Sequence, residues 1–244
     1  MAHMKLTVIG CSPAWPNPGG AQSGYLVQGP PGRVLLDCGA GVLAKLREHE
    51  DWPQIDAICI THFHLDHWGD LVPWVWAQSF GPASELPEPE LWLPPGGRKV
   101  LSEIGGRLGF PDMFENAFRA SEYADGEAFE TAGMRVTPRR VLHYDLLAFG
   151  FRVSANGRSL AYSGDSGPNG GLSELARDAD LFLCEATLDQ PYPEGGTRGH
   201  LAAVEADAAF QASGAKRLLL THRPKERELD PSYEQVYDGY EVDV

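Results

Sequence analysis

At 244 residues, with 43% hydrophobic and 22% charged side chains, the chain has the composition of a globular protein with one sizeable core and not of a disordered or fibrous one. Its 34 acidic residues against 20 Lys and Arg give a formal net charge of −14, which works against non-specific attraction to a phosphate backbone. No apolar run approaches the roughly 18 residues needed to span a bilayer, no secretory leader is visible, and Cys11, Cys38, Cys59 and Cys184 lie in or beside apolar runs without Cys-x-x-Cys spacing, which points to buried thiols in a reducing cytoplasm.

Met1-Ala2-His3-Met4 has the look of a vector remnant and is set aside. Strands are expected over 5–9, 24–28 and 33–37, separated by a Pro/Gly-rich loop at 13–20 and a turn at Pro30-Pro31-Gly32. A charged helix over 41–50, carrying His49, precedes an apolar strand over 55–60. A helix over 70–80 follows, then a loop over 81–89 expected to border a cleft, a strand over 90–93, and a helix over 99–108 entered through Pro94-Pro95-Gly96-Gly97. In the second half, strands are expected over 134–142, 147–154, 159–163, 181–184 and 217–221, with helices over 171–177 and 200–212. The alternation predicts mixed α and β around a central sheet, read as a single domain over 1–244. The acidic segment 230–244, with three tyrosines, is expected to cap the cleft or to pack on a neighbouring copy.

The chemistry concentrates in Thr61-His62-Phe63-His64-Leu65-Asp66-His67-Trp68-Gly69-Asp70, directly after the apolar strand at 55–60. Imidazole and carboxylate suit Zn²⁺ and related divalent ions. In an extended stretch His62 and His64 point the same way, and Asp66 and His67 come from the following turn. Three further candidates, His143, Asp165 and His222, each close a strand-like run, where loops present functional groups from a rigid frame. Trp68, Trp74, Trp76 and Phe80 are near enough in sequence to offer a stacking surface, although a helix stripe is more often core.

The His-x-His-x-Asp-His spacing resembles the signature of the metallo-β-lactamase superfamily. That resemblance implies an α+β fold, the four-layer αββα sandwich, and two divalent metal ions, Zn²⁺ first and Mn²⁺ as the alternative. By it, His62, His64 and His143 bind one ion, Asp66, His67 and His222 bind the other, and Asp165 bridges them. Gly10-Cys11-Ser12, Leu36-Asp37-Cys38-Gly39, Ser163-Gly164-Asp165, Cys184-Glu185-Ala186-Thr187 and Gly199-His200-Leu201-Ala202-Ala203 make the match closest to the ribonuclease Z-like phosphodiesterase branch. In that branch a glutamate and a histidine at the places of Glu185 and His200 form a pair outside the metal shell, with His200 here expected to open a helix.

The resemblance therefore implies Asp66, His200 and Glu185 as catalytic residues of a hydrolase acting on a small phosphodiester such as a cyclic nucleotide. The alternatives are a carbonyl-ester (lactone or thioester) hydrolase, a tRNA 3′ processing endoribonuclease, and a metal-binding protein without turnover. Bacterial ribonuclease Z carries a long basic arm between the places of His143 and Asp165, whereas about twenty residues separate them here, which with the acidic balance argues against a nucleic-acid partner. Many relatives are homodimers, and a homodimer is the expected assembly.

Overall fold

Successive side chains of a strand point to opposite faces, and the first sheet uses this to serve two cores. Its strands are β1 (Lys5–Gly10), β2 (Gly24–Gly29), β3 (Gly32–Leu36), β4 (Ala57–Cys59), β5 (Glu90–Leu93) and β6 (Arg119–Glu122). Tyr25, Val27, Val34, Leu36, Ala57 and Cys59 point into the space between the sheets, whereas Leu26, Leu35, Ile58 and Leu91 point outward. Outside they meet Val42, Leu71, Trp74 and Leu101 from helices α1 (Val42–Leu46), α3 (Leu71–Phe80) and α4 (Gly97–Arg107), with the single turn α2 (Leu65–Trp68) leading into α3.

The second sheet repeats the device with β7 (Phe129–Thr131), β8 (Met134–His143), β9 (Leu146–Ala155), β10 (Arg158–Tyr162), β11 (Leu181–Glu185) and β12 (Leu218–Thr221). Val136, Phe151, Val153, Leu160, Tyr162 and Leu183 close the shared core; Ala161, Phe182, Cys184 and Leu220 face α5 (Gly171–Leu175) and α6 (Ala203–Ser213). Helix, sheet, sheet and helix thus stack as the four-layer αββα sandwich. Full burial of a side chain such as Leu36 or Phe151 contributes about 1.5–3 kcal/mol, so the sheets form a stiff frame for the loops.

A last strand, β13 (Glu241–Asp243), returns to the edge of the first sheet, giving the orders β13-β1-β2-β3-β4-β5-β6 and β12-β11-β10-β9-β8-β7. β3 to β6 run parallel, as do β10 to β12. β8 and β10 are both antiparallel to β9, so β8 runs with β10. This is the computed structural model of the chain, and it describes residues 4–30, 32–48, 52–192 and 196–244. No described helix is long and apolar enough to cross a membrane.

Several expectations change. β6, β7 and β13 escape the sequence because they are three or four residues long and mostly polar, as edge strands tend to be. The acidic tail packs on its own chain: Val244 and Tyr240 bond the backbone of Met4 and Val8, and Glu234 and Val236 bond Leu220. The tail thus seals the outer edges of both sheets. Met4 is 2% exposed in the inter-sheet core, while residues 1–3, with His3, and His49 lie outside the described residues. The loop at 81–89 feeds the amino end of β5, where Leu86, Pro87 and Pro89 line a cavity of about 130 Å³ with Trp52 and Trp74. It therefore does not border the cleft, because the histidines gather at the opposite ends of the parallel strands.

Candidate metal centre

Every candidate side chain leaves the carboxyl end of a strand or the segment just beyond it, the usual place for ligands of a parallel sheet. His62 and His64 follow β4, Asp66 and His67 lie in α2, His143 ends β8, Asp165 follows β10 and His222 follows β12. The loops are drawn together by close backbone approach. Ser23 N–H donates to the Asp66 carbonyl and Cys38 N–H to the His67 carbonyl, and a Cβ at Gly39 would collide with the Asp66 carbonyl oxygen.

The seven residues converge in two overlapping groups, His62, His64, His143 and Asp165, and Asp66, His67, Asp165 and His222. Within each, the candidate ligand atoms all lie within 4.8 Å of one another. His143 Nε2 stands 2.9 Å from His64 Nδ1, and His67 Nε2 lies 3.2 Å from Asp165 Oδ2. His222 Nε2 is 3.3 Å from Asp66 Oδ2 and 3.6 Å from Asp165 Oδ1. Asp165 is thus the carboxylate common to both groups.

The opposite ring nitrogens are held from behind. His67 Nδ1 meets Asp37 Oδ2 at 2.7 Å, His143 Nδ1 the Gly199 carbonyl at 2.7 Å, His222 Nδ1 Thr187 Oγ1 at 2.8 Å, and His62 Nδ1 Thr61 Oγ1 at 3.0 Å. Such partners fix ring orientation and leave Nε2 for an ion. Buried His62 Nε2, His67 Nε2 and Asp165 Oδ1 make no hydrogen bond. Buried polar atoms are nearly always satisfied, and imidazole with carboxylate is a donor set for a divalent ion. The residues present therefore fit one or more divalent cations.

Asp37 is the functional residue that the sequence reading passed over. It is fully buried at a left-handed φ of 59°, and it accepts hydrogen bonds from Tyr162 Oη and Thr61 N as well as binding His67. Its sequence signals are a charge closing an apolar run, Leu35-Leu36-Asp37, and its place in the Leu36-Asp37-Cys38-Gly39 segment of the family resemblance, neither of which assigns it a role. Thr61 and Thr187 give no such signal.

The charge balance follows from this layout. Burial disfavours charge on His62, His64 and His143, and neighbouring imidazoles add to it, so all three sit below the usual imidazole range and are neutral at pH 7. Burial acts the same way on His67, but the Asp165 and Asp37 carboxylates outweigh it and lift His67 well above that range. Burial would raise Asp66 and Asp165; the hydrogen bond from His222 and the nearby His67 at the first, and His222 and His67 beside the second, hold both well below the ordinary carboxylate range.

An ion takes only the neutral imidazole, so loading the site displaces a proton from His67. Below the raised pKa of His67 affinity for Zn²⁺ falls as pH falls, about tenfold per unit for one proton; above it the dependence disappears. Zinc titration calorimetry at pH 7 in buffers of different ionisation heat is expected to show about one proton released, less in Asp37→Asn. Equal heats in all buffers would contradict this charge assignment.

Beside the cluster lies a second pair. His200 Nδ1 meets Glu185 Oε1 at 2.9 Å and stands 3.9 Å from Asp165 Oδ2. Glu185 is fully buried, and its oxygens also accept from Ser166 N, Thr187 N and Thr187 Oγ1. His200 does not open a helix as expected; α6 starts three residues later, and His200 sits in an extended segment bonded to Leu188 through Leu201. The aromatic residues near the metal loop follow the core pattern usual for a helix stripe: Trp68 and Trp74 are buried under the first sheet, and Trp76 packs with Phe80 and Phe110 beyond it. All four cysteines are buried, and burial pushes their thiols up, consistent with packing and not with metal ligation.

The family model described as "Beta-lactamase superfamily domain" matches residues 32–223. The chain belongs to the beta-lactamase superfamily. Among superfamily relatives, the uncharacterized protein Rv1339 of Mycobacterium tuberculosis is 34% identical over 232 residues, covering 92% of this chain and 82% of its own. The probable metallo-hydrolase YhfI of Bacillus subtilis is 30% identical over 223 residues, covering 91% and 87%; its crystal structure superposes with a TM-score of 0.86 over 99% of this chain and all of that one. Ribonuclease Z of Myxococcus xanthus is 25% identical and aligns with all of this chain and 99% of its own. The superfamily fold and the two His/Asp groups together make this a metallo-hydrolase centre.

Proposed function

We propose that the chain is a dinuclear metal-dependent phosphodiesterase acting on a small phosphodiester, of which a cyclic nucleotide is the model. His62, His64 and His143 would hold one ion, Asp66, His67 and His222 the other, with Asp165 between them. A pair of divalent ions supplies Lewis acidity there, lowering the pKa of water and neutralising charge on phosphoryl oxygens.

The remaining steps fall to the chain's own residues. Asp66, kept ionised by His222 and His67, accepts a hydrogen bond from the attacking water and orients it. Glu185, held by Ser166 N and Thr187 N, receives the Nδ1–H of His200 and so leaves the Nε2 side to carry a proton to the departing oxygen. The observation that carries the reading is this Glu185–His200 pair, 3.9 Å from Asp165. An alkoxide is a poor leaving group unless protonated, and a buried carboxylate behind an imidazole is the arrangement that protonates one.

The expected substrate size rests on β9 and β10. These two strands fill the stretch between His143 and Asp165, which leaves no room there for the arm with which bacterial ribonuclease Z would grip tRNA. A relative named ribonuclease Z supports phosphodiester chemistry, while the missing arm and the charge of −14 favour a small substrate.

Bis-p-nitrophenyl phosphate, cyclic AMP, a homoserine lactone and a glutathione thioester, offered to zinc-loaded and manganese-loaded protein, test this. Turnover of the two diesters with little of the others is expected. Preferential cleavage of the lactone or thioester would make the chain a carbonyl-ester hydrolase.

A further inference from the structure

Among the described residues, six non-glycine residues hold a positive φ: Asp37, Ala132, Tyr144, Asn156, Asp178 and His222. Two of them, Asp37 and His222, belong to the metal centre. Tyr144, at 49°, is the first of the two residues joining β8 to β9, with His143 paired to Leu146 across the turn. Two-residue hairpins that need a positive φ ordinarily place Gly, Asn or Asp there. A bulky aromatic in that region carries a local conformational cost, and such cost persists mostly where function uses the side chain.

The ring stands at the mouth of the site. Its centroid is 4.8 Å from that of His143, 5.7 Å from His200 and 6.5 Å from His64, and the residue is 36% exposed. Its seat is shaped from the opposite loop: a Cβ at Gly199 would collide with Cε2 and Cζ of the Tyr144 ring. Gly199 also supplies the carbonyl that holds His143. One glycine thus lets the aromatic ring and a ligand histidine share the same wall. Trp74, by comparison, is only 1% exposed.

Resting on the phosphoester reading, we infer that Tyr144 determines specificity, stacking a planar aromatic group of the substrate beside His200, so that aryl or nucleobase-bearing phosphoesters are preferred to alkyl ones. Aromatic stacking of this kind is sequence-tolerant and needs only a π face.

The test compares binding of phenyl phosphate and methyl phosphate to the zinc-loaded full chain by calorimetry, for wild type, Tyr144→Phe and Tyr144→Gly. Wild type and Tyr144→Phe are expected to bind phenyl phosphate about tenfold more tightly. Tyr144→Gly is expected to lose that preference while binding methyl phosphate unchanged, and to melt no lower than wild type, since glycine relieves the turn. Equal affinity for both esters in wild type, or an undiminished preference in Tyr144→Gly, overturns the inference and leaves the phosphoester reading intact. Failure of wild type to bind either ester also overturns the inference, while the phosphodiester reading stands or falls on turnover of bis-p-nitrophenyl phosphate and cyclic AMP.

Discussion

Replacing Asp165 with alanine is expected to empty the metal centre and to abolish turnover. Its two oxygens face different histidines: Oδ2 lies 3.2 Å from His67 Nε2 and 4.0 Å from His143 Nε2, and Oδ1 lies 3.6 Å from His222 Nε2. No other carboxylate belongs to both groups of candidate ligands. Loss of a residue that merely supports a ligand commonly costs 10–100-fold in affinity, so loss of a shared ligand is expected to cost more than about 100-fold. Elemental analysis after dialysis against dilute chelator should find about two ions per chain in wild type and one or none in Asp165→Ala. The sandwich itself stays folded, because the inter-sheet core does not depend on the site, and circular dichroism checks this. Full retention of both ions would remove Asp165 from the centre.

The fold was legible in proportion to how far each element buries itself. Strands such as β3, β10 and β12 are apolar runs closed by a polar residue, and that ending also marks Asp37, Asp165 and His222. The clustered His62, His64, Asp66 and His67 announce themselves by spacing, because one strand and one turn deliver all four. What sequence does not carry is contact between distant loops. The Gly199 carbonyl behind His143 and Thr187 Oγ1 behind His222 are ordinary loop atoms until the two sheets bring them there. The aromatic residues show the same limit. Proximity in sequence pointed to the tryptophans of α3, but that helix turns them under the first sheet, while Tyr144 arrives from a hairpin some eighty residues away. The tail was illegible for a different reason: its polar sequence seals edges through backbone bonds, which leave no hydrophobic pattern.

Substituting His200 separates the chemistry from the metals. The side chain is only 16% exposed, yet its backbone is secured independently: Arg198 Nη2 donates to the His200 carbonyl, Arg198 pairs with Glu205, and Leu188 N–H bonds the Leu201 carbonyl. His200→Ala is therefore expected to keep the loop, the metal ligands and their ions. Turnover of a diester with an alkoxide leaving group should fall by about 10²-fold or more, because general-acid catalysis contributes on that scale. A diester releasing p-nitrophenolate, which departs without a proton, should lose far less. Glu185→Gln should fall between, since it keeps the ring in place but removes the charge behind it. One arrangement competes with this assignment: His200 also groups with Glu185 and His222 closely enough to serve as a ligand itself. Metal content decides between them. An ion lost in His200→Ala would make His200 part of the metal shell, whereas full occupancy with a leaving-group-dependent loss of rate makes it the proton donor.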